Sequence, residues 1–235
     1  MSAFAGIRET FATLVFDCDG VILDSNRIKT DAFRQVALRY GAEAAEALVQ
    51  YHVLNGGISR YRKFEHLLRD ILGRAASEAE VKVLADAYGE CVFRELLGCA
   101  VSHGLHELRD ITAGQGWMVV SGGDEKELRR VFSARRLAPL FDRGIHGSPA
   151  TKEQILEREI ASRNLVLPAL FIGDSRYDHE AANRAGLLFA FARGWTEFQG
   201  WEEYCAVNRI PVINSISDLL SLSGQVFIDG HDHRR

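Results

Sequence analysis

Short unbroken apolar runs recur along the chain, at Leu14 to Phe16, Trp117 to Val120, Ala169 to Ile172, Leu187 to Phe191 and Val212 to Ile213. Runs this short, without polar alternation, fit strands buried on both faces. Helical patterns lie between them, and strands alternating with helices predict a parallel sheet covered on both sides. The expected fold class is therefore α/β, a doubly wound, Rossmann-like parallel sheet. Ligands of such sheets bind at the carboxyl ends of the strands.

Nearly a hundred residues separate the first two runs, far more than a single crossover helix needs. The excess has helical period: Phe33, Val36, Ala37 and Tyr40; then Tyr61, Phe64, Leu67, Leu68 and Ile71; then Val81, Leu84, Ala85, Tyr88 and Val92. Residues 25–99 are thus expected to form a small helical domain inserted in a core made of residues 1–24 and 100–235. Asn55-Gly56-Gly57 marks a turn between its helices.

Composition narrows the possibilities. The chain has 235 residues, 47% of them hydrophobic, and a net charge of -4, so no global charge favours nucleic acid or an anionic membrane. Cysteines 18, 91, 99 and 205 lack metal-type spacing and read as free thiols in a reducing compartment. No long apolar stretch and no export signal is apparent, so the expected location is the cytoplasm. The terminal His231-Asp232-His233-Arg234-Arg235 is read as a solvated tail, with metal binding as its alternative. No feature specifies an oligomeric state.

The candidate chemistry sits where strands end. Asp17 and Asp19 follow the first run one residue apart, so in a strand they share a face while Cys18 points the other way. Two crowded carboxylates call for a metal ion, a retained proton, or both. Ser121-Gly122-Gly123 ends the second run with a hydroxyl and accessible backbone amides suited to an anion. Lys152 stands at the start of a helix, where a cation opposes the helix dipole. Asp174 and Asp178 follow the Ala169 to Ile172 run, although Asp174 could instead cap the next helix. Each feature alone has an ordinary structural explanation. Together, acids, lysine, serine and glycine turns at one sheet edge form an inventory for magnesium and a phosphate group.

In this order the features resemble the haloacid dehalogenase superfamily, in the branch with a helical first-type cap that includes phosphoglycolate phosphatase and beta-phosphoglucomutase. Asp17-Cys18-Asp19-Gly20-Val21 with Asp24-Ser25 resembles its first motif, Ser121 its second, Gly147-Ser148-Pro149 with Lys152 its third, and Gly173-Asp174 with Asp178 its fourth. The resemblance implies that Asp17 is the nucleophile, giving an aspartyl phosphate, and that Asp19 is the general acid and then the base. It implies that Mg²⁺ is held by Asp17, the Asp19 carbonyl, Asp174 and Asp178, and that Ser121 and Lys152 hold the phosphoryl oxygens.

Within that family Asp19 argues against dehalogenase and phosphonate-cleaving chemistry, so the leading expectation is a phosphatase acting on a small phosphorylated metabolite, a sugar phosphate or organic-acid phosphate. A sugar phosphomutase is the alternative, because Gly57-Ile58-Ser59-Arg60 resembles the stretch that binds a second phosphate there. Asp124, following Gly123, would repel that phosphate. A binding protein on the same fold is the alternative of another class. Gly122, Arg60, Lys63 and Lys29 are the candidate substrate contacts, with Arg60 the foremost specificity residue.

Overall fold

The computed structural model describes residues 6–221; the His-rich tail at 231–235 lies outside the described residues. Its strands are β1 (Thr13–Phe16), β2 (Gly116–Asp124), β3 (Ile145–Ser148), β4 (Ala169–Gly173), β5 (Leu188–Ala192) and β6 (Val212–Ile213). Its helices are α1 (Ile7–Thr10), α2 (Asn26–Ala37), α3 (Ala42–Leu54), α4 (Arg60–His66), α5 (Glu78–Gly98), α6 (Leu105–Ile111), α7 (Glu125–Ala134), α8 (Lys152–Ala161), α9 (Arg176–Arg184) and α10 (Trp201–Asn208).

The strands form one sheet in the order β3-β2-β1-β4-β5-β6, with all neighbours parallel. Strand alternation divides the core between two faces. Leu14, Phe16, Trp117, Val119, Leu170 and Ile172 pack into one apolar cluster, while Val15, Met118, Val120 and Phe171 pack into the other. The expected doubly wound sheet is present, and its order reverses direction at β1, between β2 and β4. That switch point is where such sheets open a crevice beyond their carboxyl ends.

Two elements differ from the pattern-based expectation. Strand β3, which matches none of the five apolar runs, is built from Ile145 followed by His146, Gly147 and Ser148; as an edge strand it pairs with β2 alone. Strand β2 runs on through Ser121, Gly122 and Gly123 to Asp124 instead of stopping at Val120, with its register to β3 disturbed between Val120 and Asp124.

Helices α2 to α5 all lie between β1 and β2. Their own core is aromatic: the Phe33 ring packs at a tilt against Tyr88 at 4.4 Å and Phe64 at 5.3 Å between ring centres. Helix α3 was not among the periodic runs. Its sequence is rich in alanine, so its buried Ala44, Ala45, Leu48 and Val49 form no bulky stripe. The segments entering and leaving this insert are tied to each other, with the Asp24 N–H donating to the Ala100 carbonyl (3.0 Å) and the Ser102 N–H to the Ile22 carbonyl (2.8 Å).

Candidate active site

Asp17 is the first residue beyond β1, anchored where its N–H donates to the Ile172 carbonyl at 2.9 Å. The chain then turns sharply, with Gly20 at φ 75°, a conformation glycine adopts without penalty. A Cβ at Gly20 would lie 2.1 Å from Asp174 Oδ2, so only glycine lets this turn pass against the β4 acid.

Asp17, Asp174 and Asp178 are all buried, and one ligand atom from each lies within 4.8 Å of the others. Lys152, also buried, enters from the first turn of α8 and is the ammonium that contacts this group. Its Nζ is 2.9 Å from Asp17 Oδ1 and bonds Asp178 Oδ1 still more closely. Asp178 Oδ2 accepts from the Ser175 hydroxyl (2.6 Å) and N–H (3.1 Å), which closes a capping box at the start of α9. Ser175, not Asp174, is therefore the helix cap, and Asp174 is released from that alternative. Asp174 Oδ2 instead accepts from Asn26 Nδ2 at 2.7 Å.

Three buried acids share one lysine, and the imbalance appears in their proton affinities. Burial pushes the Asp17 carboxyl up to about 7, with Lys152 opposing and the charges of Asp178 and Asp19 adding to the rise. Asp174 is raised well above the carboxylate range by burial and by the charges of Asp17 and Asp178. Asp17 Oδ1 is buried and lacks a well-directed hydrogen bond despite its nearness to Lys152. Hard oxygen donors, excess negative charge and an under-satisfied carboxylate oxygen together fit a small divalent cation such as Mg²⁺.

Asp19 has a different environment. Its Oδ2 is 2.6 Å from Lys29 Nζ and its Oδ1 accepts from the Ser25 hydroxyl at 2.6 Å. Burial pushes the Asp19 carboxyl up, but Lys29 and the Ser25 hydroxyl outweigh it and hold the group below its ordinary value. The two aspartates of the first motif are thus driven apart in proton affinity. The sense is opposite to a protonated Asp19 beside an ionised Asp17.

The other expected residues are not equivalent. Ser121 is fully buried and its hydroxyl accepts from the Gly123 N–H at 3.0 Å, while Gly122 and Gly123 form the wall of the cavity. Gly122 is also where the insert meets the sheet, since a Cβ there would lie 1.9 Å from the Gly57 carbonyl oxygen. Arg60 lines the cavity, but its guanidinium is engaged: Nη1 donates to Glu127 Oε2 at 2.7 Å and Nη2 lies 3.6 Å from Asp124 Oδ2. The Tyr61 hydroxyl donates to the same Asp124 oxygen at 3.0 Å. Arg60, expected as the foremost substrate cation, therefore joins insert to core, with Glu127 paired to its guanidinium and Asp124 beside it. Lys29 and Lys63 both face the cavity, Lys29 through its pair with Asp19.

The cavity enclosed by sheet edge and insert has a volume of about 330 Å³. Three of its residues were not singled out in the sequence. Asn26 holds Asp174, Glu127 holds Arg60, and His52 lies against Lys63. Asn26 and Glu127 carry no spacing signal, whereas His52, just before the Asn55-Gly56-Gly57 turn, is a residue type suited to a site.

The pattern of the haloacid dehalogenase-like hydrolase family matches residues 11–186, and the chain belongs to that family. No curated protein is similar enough in sequence to match it. Among solved structures it is similar to a predicted phosphatase from Clostridium acetobutylicum (20% identity, 89% of this chain and 96% of the other, TM-score 0.69). It is similar to beta-phosphoglucomutase from Clostridium difficile (18% identity, 95% and 98%, TM-score 0.69). It is also similar to a phosphonoacetaldehyde hydrolase-like protein from Oleispira antarctica (16% identity, 98% and 96%, TM-score 0.69). These neighbours differ in the chemistry of their names, so the likeness establishes the fold and leaves the reaction to the residues of the site.

Proposed function

We propose that the protein is a Mg²⁺-dependent phosphatase that hydrolyses a small phosphate monoester through an aspartyl phosphate at Asp17. The observation that carries this reading is the buried carboxylate group of Asp17, Asp174 and Asp178, braced by one lysine at the switch point of the sheet. Asp17 and Asp174 would hold the ion, with the Asp19 carbonyl at the adjoining turn. Asp178, whose oxygens already accept from Lys152 and Ser175, would act through a bound water or by positioning the lysine. Mg²⁺ would supply positive charge against Asp17 and the phosphoryl oxygens.

Asp17 attacks phosphorus, and the ester oxygen departs with a proton from Asp19. Asp19, ion-paired here with Lys29, would take up that proton from solvent as the ester binds and the pair loosens, give it to the departing ester oxygen, and later remove one from the attacking water. Lys152, the Ser121 hydroxyl and the Gly122 N–H would receive the phosphoryl oxygens, with the Gly123 N–H donating to the Ser121 oxygen and fixing it. Helices α2 to α5 are read as a cap that excludes water from this step.

Phosphatase is favoured over phosphomutase by one observation. The arginine that would hold a second phosphate is bound to Glu127 and lies beside Asp124. The four cysteines are free, which supports a reducing compartment, and we place the protein in the cytoplasm. Among the described residues no helix is long and apolar enough to cross a membrane. Phosphate release from a panel of sugar and organic-acid phosphates, with Mg²⁺ and with chelator, tests the reading: metal-dependent release is expected, and silence across the panel with Mg²⁺ present contradicts it.

A further inference from the structure

The phosphoryl chemistry leaves one buried cation of the cavity unused. Lys63, on α4, is only 2% exposed, and its Nζ lies 2.5 Å from His52 Nδ1 and 5.4 Å from the centre of the Phe33 ring. The other cavity-lining cations each have an acid: Lys29 has Asp19, Arg60 has Glu127 and Arg176 has Glu180. Among the described residues Lys63 has no carboxylate in ion-pair contact. Its partner is an imidazole that burial and the charges of Lys63 and Lys29 keep neutral. With Lys63 donating to Nδ1, the imidazole proton sits on Nε2, so the pair presents donors on both members.

A desolvated ammonium without a counter-ion is costly, and a protein retains one where a ligand supplies the missing charge. The surroundings specify that ligand. One ammonium and a neutral imidazole match a monoanion, whereas a second phosphate dianion would share the cavity with Asp124, Glu127 and Glu197, which also line it. Those acids accept from Arg60, Tyr61 and Thr30, and their remaining acceptor sites suit hydroxyl groups, which donate to them. We propose that Lys63 and His52 together receive a carboxylate on the alcohol half of the substrate, so that the substrate class is a phosphorylated polyhydroxy acid. This rests on the phosphatase reading for the other end of the molecule. Burial and Lys29 bring the Lys63 ammonium down to about 7, and an arriving carboxylate restores its proton.

A matched pair of probes separates the carboxylate from everything else: 6-phosphogluconate and sorbitol 6-phosphate differ in the carboxylate against a hydroxymethyl group. The wild-type kcat/KM is expected to favour 6-phosphogluconate by about tenfold or more, as for one charge-assisted hydrogen bond, and Lys63→Met is expected to collapse that ratio toward one. Equal kcat/KM for both probes in the wild type, a result independent of any variant's folding, overturns the proposal. So does a preference that survives in a folded Lys63→Met protein. If no ester is hydrolysed, the phosphatase reading fails by itself, and the calorimetric Kd values of the same two probes decide the carboxylate site with the same expected ratio.

Discussion

Lys29 Nζ lies 2.6 Å from Asp19 Oδ2, and this pair keeps the second aspartate of the DxD turn ionised inside a buried site. Lys29 comes from the first helix of the insert and Asp19 from the edge of the sheet, so the charge state of a core acid is set from the insert side.

Removing the lysine exposes the opposing effect. In Lys29→Met, burial is left to act on Asp19 with Ser25 and the charge of Lys152 against it, and the carboxyl should titrate higher than in the wild type. Carboxyl ¹³C titration by NMR reads the change. An Asp19 that titrates at the same or a lower pH would show that Lys29 does not govern it.

Arg60 and Glu127 should be coupled. Their side chains are each 10% exposed and joined at 2.7 Å, so a double-mutant cycle with Arg60→Ala and Glu127→Ala should give a coupling of about 1–3 kcal/mol in denaturant unfolding. Because the pair ties insert to core, Arg60→Ala should lower kcat/KM for a small aryl phosphate and for a larger ester alike. Damage confined to the larger ester would restore Arg60 as a substrate contact.

The Gly122 position offers a test of closure. An alanine there places its Cβ 1.9 Å from the Gly57 carbonyl oxygen, and backbone on both sides cannot yield cheaply. Gly122→Ala should hold the insert off the sheet and reduce kcat/KM by about 10²-fold, as for a misplacement of roughly 1 Å. Unchanged kinetics would mean the two backbones separate during turnover without cost.

Lys63 should leave a mark on stability as a function of pH. Its proton affinity is depressed in the folded state to about 7, so between about 7 and the ordinary lysine range the unfolded chain binds the extra proton. Stability from this group is therefore lost as pH falls toward 7 and recovered as pH rises. Thermal melts of Lys63→Met against wild type should give a Tm advantage for the variant near pH 7 that shrinks as pH rises toward 10. His52, depressed below its ordinary value, titrates on the acid side and leaves that window undisturbed.

Much of this molecule is legible in its sequence because burial writes directly onto residue type. Strands β1, β2, β4 and β5 are buried on both sheet faces in their apolar stretches, and the acids and glycines that end them fall where the chain leaves the core. Strand β3 was legible only through the motif at its end, because an edge strand with one neighbour can be built from His, Gly and Ser. The pairing of Arg60 was not legible. Its partner, Glu127, is 67 residues away on α7, and nothing in the local pattern distinguishes a guanidinium offered to substrate from one spent on a core acid. Lys63 illustrates the converse. Among Arg60, Arg62 and Lys63 the sequence offers three adjacent cations, and helix geometry buries Lys63 against His52 while Arg62 stays outside the cavity wall.

The central claim is that Asp17 carries the phosphoryl group. It is tested most directly by acid-quenching the enzyme during turnover of a ³²P-labelled ester with Mg²⁺, then locating the label by peptide mapping. The expected result is hydroxylamine-sensitive label on the peptide containing Asp17, lost on chelation of the metal and absent from a folded Asp17→Asn protein. Label on any other residue, or turnover that persists in Asp17→Asn, would contradict the account.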